Sequence, residues 1–232
     1  MKRFFSLSCI AFLMVFGLKA QSYTMVYQIS MGMADNNPMM QQMMPGNMEI
    51  LHKDGKTITR FKGGMMASML GETLSDNNNP SISYLINHKQ KNYTELKSDP
   101  NTESKSLEND MRVSIKKTGK QEKISGFACA EYLVSTEVKG EKMDAFIWTT
   151  NDIKVPRPPA QKSQSRGFDA MFQYNIEGFP VKYVYTSGPE TGSMKTEVTL
   201  LEFNTKELSG QLFEIPASYK KVDLPALSNP GK

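Results

Sequence analysis

Apolar side chains recur at every second position over much of this chain. Tyr23, Met25, Tyr27, Ile29 and Met31 alternate with mostly polar neighbours, the period of a strand with one buried face. Residues 48–53 and 56–61 flank Asp54-Gly55, which predicts a hairpin with a two-residue turn, because Asp-Gly tolerates the positive φ that such turns require. In that register Glu49 faces Arg60, Leu51 faces Ile58 and His52 faces Thr57. Residues 81–86 and 91–96 predict a second hairpin around 87–90. Residues 97–110 are almost wholly polar and read as a surface loop.

The alternation resumes at Met111, Val113 and Ile115, where Thr118-Gly119 offers a turn. Residues 123–138 and 142–150 predict two long strands around Lys139-Gly140, and the Pro-rich run from Val155 to Pro159 breaks the pattern. Ala170 and Phe172 fall in a segment of no clear type. Val181, Tyr183 and Tyr185 alternate again, residues 195–203 read as a strand, and residues 208–213 as a helical turn. The spacing gives about nine or ten strands in hairpin order, with few helical patterns. The expected fold is mainly β (α+β): a curled antiparallel sheet, or half-barrel, with a few short helices across its opening. No internal repeat or domain boundary shows.

The first twenty residues stand outside that pattern. Met1-Lys2-Arg3 is basic, Leu7 to Leu18 is largely apolar, and Ala20 precedes Gln21. A basic head, an apolar run of about 12 residues and a small-residue exit predict a secretory signal peptide over residues 1–20. The expected product is a single exported domain, residues 21–232, periplasmic or outer-membrane-associated, with no transmembrane segment in the mature chain. Removing twenty of the 232 residues leaves 212, enough for an ample core. The leader holds Lys2, Arg3 and Lys19 and no acid, so the net charge falls from +4 to +1. Nucleic acid is therefore not an expected partner. Cys9 leaves with the leader. Cys129 remains alone, cannot form an intrachain disulfide, and is expected to be a buried, inert thiol.

Methionine is the compositional oddity: eleven of the 17 lie between Met25 and Met69. Thioethers select Cu(I), so Met39, Met40, Met43 and Met44 form a candidate copper site. No His or Cys lies within residues 31–48 to strengthen it, and a flexible apolar lip ranks above tight copper binding. His52 and His88 lie on separate hairpins without zinc spacing; both are expected at the surface. No Gly-x-Ser-x-Gly or His-Glu-x-x-His occurs. Gly55-Lys56-Thr57 mimics the end of a phosphate loop, but Ile50 stands where its first glycine belongs. Trp148, the one tryptophan, sits in Ala145-Phe146-Ile147-Trp148, a run apolar on both strand faces. Such a strand is central to its sheet or lines a cavity.

Four segments in order resemble a known family. They are Gly126-Phe127-Ala128-Cys129, Trp148-Thr149-Thr150-Asn151-Asp152-Ile153, Gly178-Phe179-Pro180, and Phe213-Glu214-Ile215-Pro216 with Tyr219. The resemblance is to secreted proteins of Gram-negative bacteria that share a domain of unknown function (DUF4412 type), and it is strongest from Gly126 to Lys220. It implies a sheet similar to the lipoprotein-carrier (Lol-type) half-barrel, and by analogy an apolar or lipidic ligand. It carries over no functional residues, and fold does not settle function. The expected function is thus non-enzymatic binding of an apolar or lipid-like small molecule in the concavity, without a cofactor. The expected lining is Trp148, Phe146, Tyr183, Tyr185 and Tyr27, with Met-rich copper(I) binding as the alternative.

Overall fold

The computed structural model describes residues 22–32, 38–97, 111–138, 140–157, 170–172, 174–187 and 194–223. The expected leader, its cleavage point and the polar loop at 98–110 lie outside the described residues.

One curled, unclosed sheet of twelve strands makes up the fold. Strand β1 (Tyr23–Met31) stands in its middle. On one side a meander runs outward through β2 (Asn47–Lys53), β3 (Lys56–Lys62), β4 (Glu72–Asp76), β5 (Ile82–Asn87) and β6 (Asn92–Lys97). On the other side β11 (Met194–Asn204) pairs with β1, followed outward by β10 (Phe179–Ser187), β9 (Glu141–Thr150), β8 (Phe127–Val138) and β7 (Met111–Ile124). These pairings are antiparallel; the short β12 (Lys220–Lys221) joins β6 in parallel. Two short helices sit in connections: α1 (Pro38–Met43) between β1 and β2, and α2 (Gly64–Leu70) between β3 and β4.

The β2–β3 hairpin has the register its sequence predicts, with Glu49 opposite Arg60, Leu51 opposite Ile58 and His52 opposite Thr57. Asp54 and Gly55 both take positive φ, 51° and 79°, as a type I′ turn demands. The β7–β8 region corrects the expectation. Thr118-Gly119 does not turn the chain. Gly119, at φ 87°, falls where the ladder slips between Lys117 and Gln121, and the strand runs on to Ile124. One residue with positive φ accommodates a bulge, whereas a tight hairpin needs two. Ser125 and Gly126, at 50° and 90°, supply the two, so residues 123–138 are not one strand.

Alternation divides the apolar side chains between two faces. On the inner face, Met25, Tyr27, Met48, Ile147, Tyr183 and Leu200 belong to one continuous buried core. On the outer face, Leu51, Ile58, Leu74 and Ile86 form a smaller cluster closed by Phe213 from the C-terminal segment. A 3-10 turn at Gly210–Phe213 delivers that ring, near the helical turn expected at 208–213. A charged ladder lies on the same face: Arg60 donates to Glu49 at 2.6 Å and approaches Glu72 at 3.6 Å, while Lys62 reaches Glu49 at 2.7 Å. Burial pushes the Glu49 carboxyl up, but hydrogen bonds and charge from Arg60 and Lys62 outweigh it and leave it below its ordinary value.

Candidate functional site

Among the described residues, a strap covers the inner face: residues 153–157, 170–172 and 174–179 lie against it, with Ile153, Met171, Phe172, Ile176 and Phe179 buried in the main core. Ala170–Phe172 forms a 3-10 turn, and the Phe172 ring meets Tyr27 edge-on at 6.1 Å. Polar contacts pin the strap. The Tyr23 hydroxyl donates to the Pro156 carbonyl at 2.7 Å, and Thr149 Oγ1 donates to the Glu177 carbonyl at 2.7 Å. Arg157 donates to the carbonyls of Tyr174, Ile176 and Gly178. The Tyr27 hydroxyl donates to the Pro180 carbonyl at 3.0 Å. Burial raises both phenols well above their ordinary range, so both remain neutral donors at physiological pH.

The ladder divides the five expected lining residues between the two faces. Tyr183 pairs with Ile147 and Tyr185 with Ala145, which puts both tyrosines on the inner face with Tyr27. The rings of Tyr183 and Tyr185 lie 5.2 Å apart. Phe146 and Trp148 point the other way, opposite Val184 and Lys182. There they line a groove of about 490 Å³ with Lys120, Glu131, Lys182 and Glu197. Lys182 Nζ sits 5.3 Å from the centre of the Trp148 ring and 2.8 Å from Glu197. Burial pushes the Glu197 carboxyl up, yet Lys182 and Lys195 prevail and hold it low. That direction suits a structural ion pair and is the wrong one for a general acid.

Thr196 stands apart from the other buried polar side chains among the described residues. It lies on the inner face of β11, opposite Met31 on one side and Tyr185 on the other. The residue is 0% exposed. Its hydroxyl is the one buried side-chain polar atom without a partner among the described residues. Met194 and Tyr185 pack against the core at the same end of the sheet.

That end also carries the helices α1 and α2, since both connections leave the sheet there. Gly64 joins them. With φ 66°, it lies so close to α1 that an added Cβ would come within 2.0 Å of the Met44 carbonyl oxygen. Met44 packs against the main core. Met39 and Met43 are exposed; nothing is described of the Met40 side chain. The three methionines of α2, Met65, Met66 and Met69, are not buried. They stand outside the candidate copper set Met39, Met40, Met43 and Met44, because nothing in the sequence pairs the β1–β2 connection with the β3–β4 connection.

The remaining candidates resolve as follows. His52 is buried, 4% exposed, which corrects the surface expectation. It occupies the inner face beside β1, stacked on Tyr23 at 4.8 Å and 17°, with Nδ1 2.9 Å from Thr57 Oγ1. Burial lowers its pKa, opposed by Asp54. His88 is in an exposed turn, 2.9 Å from the Tyr219 hydroxyl and 3.3 Å from Glu72. Cys129 is buried, and burial raises its thiol pKa. No group of three or more His, Cys, Asp or Glu able to hold a metal occurs among the described residues, nor is any described helix long and apolar enough to cross a membrane.

The segments that resembled a family are structurally linked. Gly178, at φ 84°, lies against the end of β9: a Cβ there would come 2.9 Å from the Thr150 carbonyl and 3.1 Å from Asn151 Oδ1. The Gly178-Phe179-Pro180 and Trp148–Ile153 segments therefore share one tight contact, while Ser125-Gly126 turns the β7–β8 hairpin and Phe213 closes the outer cluster. No curated protein sequence matches the chain significantly. The chain belongs to the family described as a domain of unknown function (DUF4412), whose profile matches residues 30–219.

Proposed function

We propose that this is an exported, non-enzymatic binding protein, periplasmic or outer-membrane-associated, that holds an apolar or lipid-like ligand against the inner face of its sheet. The ligand lies at the Met31–Thr196–Tyr185 end, away from the Tyr23 end where the strap is pinned. The observation that carries the reading is the Thr196 hydroxyl: fully buried, unpartnered, and flanked by Tyr185 and Met31. A lone buried hydroxyl costs about 1–3 kcal/mol, and a polar group of a ligand would relieve that cost. Methionine and tyrosine around it suit the rest of such a molecule, because thioether chains adapt to irregular apolar shapes. Each methylene desolvated there contributes about 0.8 kcal/mol. A Lol-type half-barrel would place the ligand in a similar concavity.

A dansyl-labelled fatty acid tests the reading on delipidated mature protein. Saturable binding, displaced by unlabelled fatty acid and weakened in Thr196→Val, is the expected result. Absence of saturable binding, or equal affinity in Thr196→Val, would overturn it.

A further inference from the structure

We infer that α1 and α2 together form a thioether site for a soft monovalent metal ion, Cu(I) or Ag(I). Each helix carries a methionine pair at i, i+4: Met39 and Met43 on α1, Met65 and Met69 on α2. That spacing puts both members of a pair on one helix face, one turn apart. The close approach of Gly64 to the Met43 and Met44 carbonyls, where a Cβ would lie 2.9 Å and 2.0 Å away, brings the end of α1 against the start of α2. Met43 takes part in that contact and Met65 follows Gly64 in sequence, while Met39 and Met69 lie one turn beyond it.

Burial does not account for these side chains. Met39 is 73% exposed, Met65 64% and Met69 76%, and α2 buries none of its residues. Five of the eleven large exposed apolar side chains among the described residues lie on these two short helices, whereas single scattered ones are the usual pattern. Methionine serving as core filler would be buried.

The chemistry of the donors selects the ion. Thioethers are neutral, soft ligands that suit Cu(I), while Zn and the hard divalent ions prefer imidazole, thiolate or oxygen. Residues 38–46 and 63–71 contain no charged side chain, so no neighbouring ammonium within them repels a cation and no carboxylate diverts a hard one. A site built from neutral thioethers also needs no proton release on binding, so its affinity is nearly independent of pH between pH 5 and 8, unlike a His or Cys site.

The test is anaerobic titration of the mature protein with Cu(I) against a competing chelator, and with Ag(I) as a redox-inert probe. Methionine methyl NMR signals are followed alongside. One ion per chain is expected, shifting the methyl signals of Met39, Met43, Met65 and Met69. Met65→Leu/Met69→Leu and Met39→Leu/Met43→Leu should each lower affinity about tenfold or more. Met143→Leu, an exposed methionine on β9, should not. Gly64→Ala keeps every thioether but forces the helices apart, and should also weaken binding. Thermal unfolding of each variant separates lost binding from lost folding, and Met69→Leu alone, at so exposed a position, leaves the fold intact. Binding unchanged in the α2 double variant, no preference for Cu(I) over Zn(II), or affinity that collapses toward pH 5 would each overturn the inference.

Discussion

Replacing Thr196 by valine should stabilise the ligand-free protein. Thr196 is 0% exposed on the inner face of β11, and its hydroxyl has no partner. Folding strips that hydroxyl of water and returns nothing, a penalty of about 1–3 kcal/mol. Valine has nearly the same shape, keeps the β-branch that suits a strand, and exchanges the stranded oxygen for a methyl group. The expected gain is about 1–2 kcal/mol. For a domain of this size that raises Tm by about 2–4 °C per kcal/mol. Thr196→Ser provides the opposite sign: it keeps the hydroxyl, deletes a buried methyl, and should cost about 1 kcal/mol. Urea unfolding of delipidated wild type and both variants measures the two effects. A loss of more than about 1 kcal/mol in Thr196→Val would show that the hydroxyl has a partner in solution, and the argument for a ligand at this end would fail. Adding fatty acid gives the complementary reading, since a ligand that binds only the folded state raises its stability. Wild type should gain more from it than Thr196→Val.

Four further outcomes follow from the same geometry. The His52 pKa is lowered by burial, so the unfolded chain takes up a proton that the folded one resists; stability should fall as pH drops below about 6.5. His52→Gln should flatten that part of the urea-midpoint profile, and an unchanged slope would refute the assignment. Cys129 should react slowly with thiol reagents until the protein unfolds, because burial raises its pKa and the thiolate is the reactive form; fast native labelling at neutral pH would contradict this. Gly178→Ala should cost about 1–3 kcal/mol, since φ 84° and the Thr150 carbonyl leave no room for a Cβ; a neutral result by denaturant unfolding would show that the β9–β10 contact yields. Trp148 emission should respond to Lys182→Ala, which removes the ammonium 5.3 Å from its ring, and stay constant when a ligand binds the inner face; the reverse pattern in a fluorescence titration would move the site to the outer groove.

Local chemistry made part of this fold readable. The Asp54-Gly55 turn fixed the β2–β3 register residue by residue, because a two-residue turn leaves the strands no freedom to slip. In the β7–β8 region local reading failed. Thr118-Gly119 reads as a turn, yet Ser125-Gly126 makes it, and the difference lies in how many residues take positive φ, which the backbone decides. Strand β4 was missed because Glu72–Asp76 holds a single large apolar residue, Leu74. It becomes a strand because Ile58 and Tyr84 on its two neighbours pack with Leu74. His52 looked like a surface residue because its burial depends on Tyr23, which lies on another strand.

The candidate site was less legible, for a reason built into strands apolar on both faces. The run Ala145-Phe146-Ile147-Trp148 gives no phase, since alternation carries information only when one face is polar. Phase enters from the partner strand: Lys182 and Val184 opposite Trp148 and Phe146, Tyr183 and Tyr185 opposite Ile147 and Ala145. A group of aromatics that reads as one lining is therefore two. One part lies in the closed inner core and the other along an ionic outer groove. The methionines show the converse. Met39 and Met43 are 22 or more residues from Met65 and Met69 in sequence, and one glycine-mediated contact between two sheet connections brings their helices together. Periodicity reveals what each element buries; only the pairing of strands reveals what separate elements can hold between them.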